Sequence, residues 1–313
     1  MRQVDTSRPV HLIINPRSGY GGSRHMLGQL RTAARRSDVN LVEYTTCAPG
    51  DATRYARSIV GKAAATMVWG GDGTVNEVAS ALAGTDVPLL PCRAGTECLL
   101  ARELGVPVNP GRIIQVLQSG SIVAFDVGSV NQKHFILIIG IGFDGEVVRR
   151  VTAARTGHIS HLSYAWPIWR TFWEHKFPRM RIVADGQEVF NAPGMAFVGN
   201  ISRYATGLRI CRDADFADGL LDLVVYSCTN QISLAFHAAR TVLRRHPLHA
   251  GVLYQRFRDL TIESSEPAPC QVDGDVGPAT PLEISVSPDR IQLVVPQHHS
   301  PWYSRLWKGG QRT

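Results

Sequence analysis

The run Met67-Val68-Trp69-Gly70-Gly71-Asp72-Gly73-Thr74-Val75-Asn76-Glu77 constrains this chain more than any other stretch. An apolar strand enters a loop of three glycines around one aspartate, and a helix leaves it. Thr74 and Glu77 have the spacing of a capping box, which predicts a helix starting at Thr74. Val75, Val78, Ala79 and Leu82 then share one helical face, and Gly84 is a stop signal. Glycines let backbone N–H groups come close to a ligand, at a helix N-terminus that favours anions. A carboxylate is repelled by a bare phosphate, so Asp72 makes sense beside a metal ion or a proton to be moved. No Gly-Lys-Ser/Thr follows, which excludes Walker A, and the spaced third glycine of the dinucleotide fingerprint is missing. Taken alone, the loop also admits a purely structural strand-to-helix turn.

The surrounding rhythm widens the case. Strands are expected at 10–14, 40–45, 66–70 and 87–91, and helices at 22–36, 51–63, 74–83 and 97–104. That alternation predicts an α/β domain with a doubly wound parallel sheet. Ligands of such sheets lie beyond the strands' C-terminal ends, where Asn15, Thr46, Asp72 and Thr96 all fall. From about residue 122 the pattern changes to strand-like runs at 122–130, 134–142, 181–184, 194–199, 220–227, 257–263, 282–286 and 290–295. Two helical stretches interrupt them, which predicts a β-sandwich. The expected division is 1–128 and 129–313, with the last strands free to return to the first domain.

The 313 residues carry a net charge of +7, and the excess is concentrated at 129–181, with eight Lys and Arg against three Asp and Glu. The same segment steps Ile159, Leu162, Trp166, Trp169, Trp173 and Phe177 by three or four residues, so they line one helical face. Pro167 is read as starting a second helix. The stripe has two readings: a core-packing helix, or an interfacial helix with Arg170, Lys176, Arg179 and Arg181 on or beside its polar side. The tail Trp302-Tyr303-Ser304-Arg305-Leu306-Trp307-Lys308 has the same character. No nucleic-acid-binding signature accompanies the basic segment, so nucleic acid ranks last as a partner. The longest apolar run, 135–143, is too short to span a bilayer, and the N-terminus lacks the apolar segment of a signal peptide. The six cysteines are scattered without a CxxC pair, which fits a reducing cytoplasm. His158, His161, His298 and His299 have no acidic or cysteine partner at ligand spacing and are read as solvated or helix-end histidines.

Gly70-Gly71-Asp72-Gly73-Thr74 resembles the signature of the diacylglycerol kinase and sphingosine kinase superfamily, itself related to NAD kinases and phosphofructokinases. Further segments match in family order from about residue 10 to 295: Asn15-Pro16-Arg17-Ser18-Gly19, then Thr45-Thr46 with Pro49-Gly50-Asp51-Ala52. Pro91 and Gly95-Thr96-Glu97 follow, then the run from Ala101 to Pro107. Later come Phe125-Asp126-Val127-Gly128, Gly140-Ile141-Gly142-Phe143-Asp144-Gly145, the segment from Asp215 to Asp222, and Gln271-Val272-Asp273-Gly274-Asp275. Two departures stand out. Cys98 occupies a position where the family usually has Asn, and only Gly207 marks a stretch after Asn200 where several glycines are common.

The resemblance implies a phosphofructokinase/NAD kinase-like first domain and an ATP-dependent lipid kinase acting with Mg2+. Asp275 corresponds to the family's proton acceptor, and Asp72 to the carboxylate at the nucleotide end. Nucleotide contacts fall to Asn15, Thr46, Gly70, Gly71, Asp72, Gly73, Thr74, Val75, Asn76 and Thr96. Asp126 and Asp273 are supporting carboxylates, and Asp215, Asp218 and the Leu220 carbonyl resemble a separate structural metal site. A β-turn is the bland alternative for Asp273-Gly274. The implied partner is a lipid substrate, diacylglycerol or a relative, at a membrane surface approached from the cytoplasm. The rivals are a soluble-substrate kinase of the NAD kinase type and a non-catalytic lipid- or nucleotide-binding pseudo-kinase, for which Cys98 is the clue. Which lipid is used, the donor preference, other protein partners and a homo-oligomeric state are left open.

Overall fold

All six residues of Ala65–Gly70 are buried, as a strand covered on both faces requires. In the computed structural model, which describes residues 2–18, 23–153, 161–205, 208–243 and 250–297, this strand is central to the first of two units. That unit comprises Met1–Val127 and Pro288–Thr313, and the second comprises Gly128–Ser287.

The first unit alternates β1 (Val10–Ile14), α1 (Ser23–Arg36), β2 (Leu41–Thr45), α2 (Asp51–Ser58), β3 (Ala65–Gly70), α3 (Asp72–Leu82), β4 (Leu89–Arg93), α4 (Leu99–Glu103) and α5 (Pro110–Ser119). β1 pairs in parallel with both β2 and β3, and β3 with β4. The order is therefore β2-β1-β3-β4, and the chain reverses its direction of travel between β1 and β3. Such a switch point opens a crevice at the strands' C-terminal ends. Val75, Val78, Ala79 and Leu82 of α3 are buried together, as their spacing predicts.

Three local expectations fail. α3 starts at Asp72 with Gly71 as its N-cap and no side-chain cap. Thr74 lies inside the first turn, so no capping box forms. α2 ends at Ser58, short of the expected 63. α5 was not expected, although Asn109 caps it by accepting from Arg112 N at 3.1 Å and Pro110 opens it.

β5 (Ser121–Val130) leads into the second unit. There follow β6 (Lys133–Phe135), β7 (Ile138–Ile141), α6 (Phe143–Ala153), α7 (His161–Glu174), β8 (Arg179–Ala184), β9 (Gln187–Gly199), β10 (Arg203–Tyr204), β11 (Leu208–Arg209), β12 (Leu221–Ser227), α8 (Gln231–Val242), β13 (Val252–Phe257), β14 (Asp259–Ser264), β15 (Pro269–Val272), β16 (Asp275–Ala279) and β17 (Leu282–Val295). The strand-rich pattern is a β-sandwich, as the sequence predicts. β9 is long enough to pair antiparallel with β8 along its first half and with β7 and β12 along its second. Phe135, Ile139, Ile141, Met180, Ile182, Val198, Leu223, Val225, Phe257 and Ile262 fill the space between.

Three helices, not two, interrupt these strands among the described residues, and α7 runs through Pro167 without a break. Pro167 sits in a helix interior that its sequence signal places at a helix start. The runs at 282–286 and 290–295 are one strand, β17. Its first part pairs antiparallel with β14, and Leu293 near its end pairs in parallel with Leu89 of β4.

Candidate active site

In the first unit, the segment after β1 meets the loop after β3 at the switch point. Asn15 N donates to Trp69 O at 3.0 Å. The Asn15 side chain donates from Nδ2 to Thr74 Oγ1 at 2.8 Å and accepts from Arg17 N at 3.0 Å. Ser18 Oγ accepts from Gly71 N at 3.1 Å. Thr46, at the end of β2, donates to Ile14 O from its main chain at 2.9 Å and from Oγ1 at 3.3 Å. These bonds hold three segments at one sheet edge and leave Gly73 exposed, with nothing within 4 Å of where a Cβ would stand. Val75 is buried, and Asn76 Oδ1 accepts from Ser80 Oγ at 3.3 Å.

The loop after β4 closes on the same place. A Cβ on Gly95 would stand 2.7 Å from Gly71 Cα. The contact is backbone to backbone and cannot yield as a side chain would, so glycine is required. Thr96 is exposed at the loop's tip. Cys98 adopts the left-handed conformation (φ 48°, ψ 52°) as N-cap of α4, and its Sγ accepts from Gly95 N at 3.0 Å. Burial, with the Asp72 charge second, pushes its thiol up to about 11. Cys98 is thus a packed, unreactive residue in a conformation that asparagine tolerates better.

Asp72 is the electrostatic centre of this edge. Burial pushes its carboxyl up to about 6, and the Glu97 charge adds to the rise. Main-chain N–H groups of Leu99, Leu100 and Cys98 pull the other way. Its Oδ1 is sealed from solvent and meets no hydrogen-bond partner among the described residues. A buried orphan oxygen of this kind suits an incoming cation or proton. Glu77, freed from the expected capping box, instead accepts from Gly50 N at 3.1 Å and so ties the loop after β2 to α3. Asp51 orders that loop by accepting from Cys47 N and Ala48 N, both at 2.8 Å. Asp126 is 1% exposed on β5 and ion-paired with Arg290 of β17 at 2.8 Å.

The other assigned residues lie in the second unit. Asp273 and Gly274 form the two-residue turn between β15 and β16, with φ of 52° and 90°, the mark of a type I′ hairpin. The Asp273 carboxylate accepts from Ile136 N, Leu137 N and Ile138 N at 2.7, 2.8 and 3.0 Å. It fastens the hairpin to the segment joining β6 and β7. Asp275 opens β16 and is exposed, so the hairpin presents its carboxylate outward.

Asp215 Oδ1 accepts from Ala217 N at 3.1 Å, and Asp218 Oδ1 from Leu220 N at 3.0 Å. Asp218 Oδ2 faces Arg256 Nη1 at 3.1 Å. Among the described residues, no three His, Cys, Asp or Glu side chains converge as a metal cage.

Comparison with known proteins joins both halves of the chain to one family. A family model described as the diacylglycerol kinase catalytic domain matches residues 9–130. A second, described as the YegS C-terminal NAD kinase beta sandwich-like domain, matches residues 137–295. The chain belongs to the diacylglycerol kinase family. A protein of Mycobacterium tuberculosis (strain ATCC 25618 / H37Rv) named diacylglycerol kinase is 30% identical over 92% of this chain and 96% of its own length. Another of that name, from Bacillus subtilis (strain 168), is 25% identical over 91% and 96%. A crystal structure of a diacylglycerol kinase from Bacillus anthracis str. Sterne shares the fold, with a TM-score of 0.70 at 21% identity over 93% of this chain and 97% of that one. The chain is therefore a kinase by family, and such kinases imply ATP as the phosphate donor.

Two functional-looking groups escaped sequence reasoning. Ser18 lies in the Asn15–Gly19 motif, but a hydroxyl reaching the loop after the neighbouring strand β3 has no local signal. Asp144 of α6 receives a hydrogen bond from Tyr204 Oη, and burial pushes its carboxyl up to about 6. Its motif was visible, but its burial was not. His158, Ile159, Gly207, His298, His299 and residues 302–308 lie outside the described residues, as do the side chains of His161 and Leu162. No helix among the described residues is long and apolar enough to cross a membrane.

Proposed function

We propose that this chain transfers the γ-phosphate of Mg-ATP to a hydroxyl of diacylglycerol or a related membrane lipid. The observation that carries the reading is Asp72. It is a carboxylate held near 6 with one sealed, unpartnered oxygen, set where three loops converge on a switch-point crevice. Phosphoryl transfer needs positioning and charge neutralisation more than covalent chemistry. Gly70 to Thr74 and the Asn15–Thr74 hydrogen bond supply a rigid, close-approach backbone for the phosphates. Magnesium takes few protein carboxylates and completes its shell with phosphate oxygens and water, so the lone Asp72 oxygen fits it. When bound, the ion would offset charge between the phosphates. Asp275 accepts the lipid hydroxyl's proton, and Asp273 acts as a positioning residue by anchoring the hairpin that carries it. A second cation held by Asp215, Asp218 and the Leu220 carbonyl belongs to the same reading. The acceptor's home in a bilayer makes the protein a worker at a membrane surface.

The test is transfer of labelled γ-phosphate to a panel of lipids in mixed micelles, with NAD as a soluble competitor. Asp72→Asn and Asp275→Asn run beside the wild type. A labelled lipid lost in both variants is the expected result. Label on NAD would move the chain to a soluble-substrate kinase, and ATP binding without any transfer would make it a pseudo-kinase.

A further inference from the structure

Surface helices ordinarily turn their apolar side inward, and α7 and α8 do the reverse. On α8 the inward positions are Leu234, His237 and Thr241. His237 Nε2 bonds Ser227 O at 3.0 Å, and Thr241 Oγ1 bonds Tyr226 Oη at 3.0 Å, so the buried side is largely polar. Outward stand Ile232, Phe236, Val242 and, just past the helix, Leu243. On α7, Pro167 and Thr171 are buried, while Trp166, Ile168, Trp169 and Trp173 face solvent. These eight side chains are between 43% and 81% exposed, and they are eight of the twelve large apolar residues exposed among the described residues. Gln231 joins the two helices: its Nε2 donates to Trp173 O at 3.3 Å and to His175 O at 3.2 Å. A concentration of this kind marks an interaction surface.

We infer that α7 and α8 together form one docking face for a lipid bilayer that carries anionic headgroups. The inference rests on the lipid-kinase reading and names the surface on which that reaction meets its substrate. Two observations select a bilayer over a protein partner. Three of the eight residues are tryptophans, the side chain that settles at headgroup depth with its ring apolar and its N–H wet. The charge bordering the face is net basic: Arg240 stacks 5.5 Å over the Phe236 ring, Lys176 is exposed just past α7, the exposed Glu174 is paired with both Arg150 and Arg170, and residues 129–181 hold the chain's charge excess. Apolar insertion with a basic rim is the signature of an interfacial anchor on anionic lipid. The sequence shows only the tryptophan half of this face. The α8 half reads as an ordinary amphipathic helix until the fold shows which side is buried.

The full chain is sedimented with vesicles of phosphatidylcholine and phosphatidylglycerol in equal amounts, and with phosphatidylcholine alone, without ATP. Ile232→Glu with Phe236→Glu, and separately Trp169→Glu, are compared with wild type after circular dichroism melts show them folded. The expected result is a bound fraction at least ten-fold lower for either variant and a preference for the anionic vesicles. Turnover of a short-chain diacylglycerol dissolved as monomer should be unchanged. If the variants are misfolded, quenching of wild-type tryptophan fluorescence by brominated lipid reads insertion directly. Equal binding by folded variants, no binding by wild type, or a concentration-dependent dimer that the variants abolish would overturn the inference. Binding without phosphorylation of any lipid would leave the docking face standing and defeat the lipid-kinase reading.

Discussion

A carboxyl held near 6 in the fold but ordinarily at 3.8 keeps its proton more tightly when folded than when unfolded. Between about pH 4 and pH 6 the folded state therefore binds more protons, and stability falls as pH rises through that window. Above it the loss is complete and constant. A difference of about two pH units corresponds to roughly 3 kcal/mol at ~1.36 kcal/mol per unit. Partial access of water to the side chain reduces this to about 1–3 kcal/mol. Asp72→Asn removes the charge but keeps a carbonyl oxygen for the N–H groups of Cys98, Leu99 and Leu100. The variant should exceed wild type in stability by about 1–3 kcal/mol at pH 7.5 and match it near pH 4, while losing phosphotransfer. Urea unfolding at the two pH values reads this directly, as a midpoint gap that opens only at the higher pH. An equal gap at both values, or a variant less stable at pH 7.5, would show that Asp72 does not carry a burial penalty.

Two further perturbations follow from the same geometry. Cys98→Asn places a side chain that tolerates the left-handed region at φ 48° and can still accept from Gly95 N, so stability should rise by about 0.5–1 kcal/mol. A thermal melt and an ATP titration check it, and a lower midpoint would refute it. Asp273→Ala strips the acceptor from Ile136 N, Leu137 N and Ile138 N in a buried site. It should cost about 2–5 kcal/mol, and a loss below about 1 kcal/mol in denaturant unfolding would show that water replaces the carboxylate.

Much of this fold was legible because its signals are local and repeated. The apolar face of α3, the fully buried β3 and the alternation of strand and helix each follow from residue spacing. The turn at Asp273-Gly274 was legible as well, and it is both the bland hairpin and the support for Asp275. The failures arise where distant contacts outbid local ones. Thr74 and Glu77 have capping-box spacing, yet Asn15 takes the threonine and Gly50 takes the glutamate. Pro167 stays inside α7 rather than starting a helix. For the tryptophans of α7 the spacing defines a face, but which face is covered depends on what packs against Pro167 and Thr171. Asp126 and Asp273 share the role of supporting carboxylate that the resemblance implies, and each is engaged by a partner far away in sequence: Arg290 for one, the main chain at Ile136–Ile138 for the other.

The pairing of Leu293 with Leu89 has a bearing on how the protein is made. β4 leaves the ribosome before any strand of the sandwich, and β17, which pairs with it, leaves only after the other sandwich strands. Throughout translation of the sandwich the parallel sheet of the first unit keeps an unpaired edge, open to wrong neighbours. A nascent chain of this kind has to shield that edge or tolerate it until β17 arrives. Expression of residues 1–127 alone would make the exposure permanent.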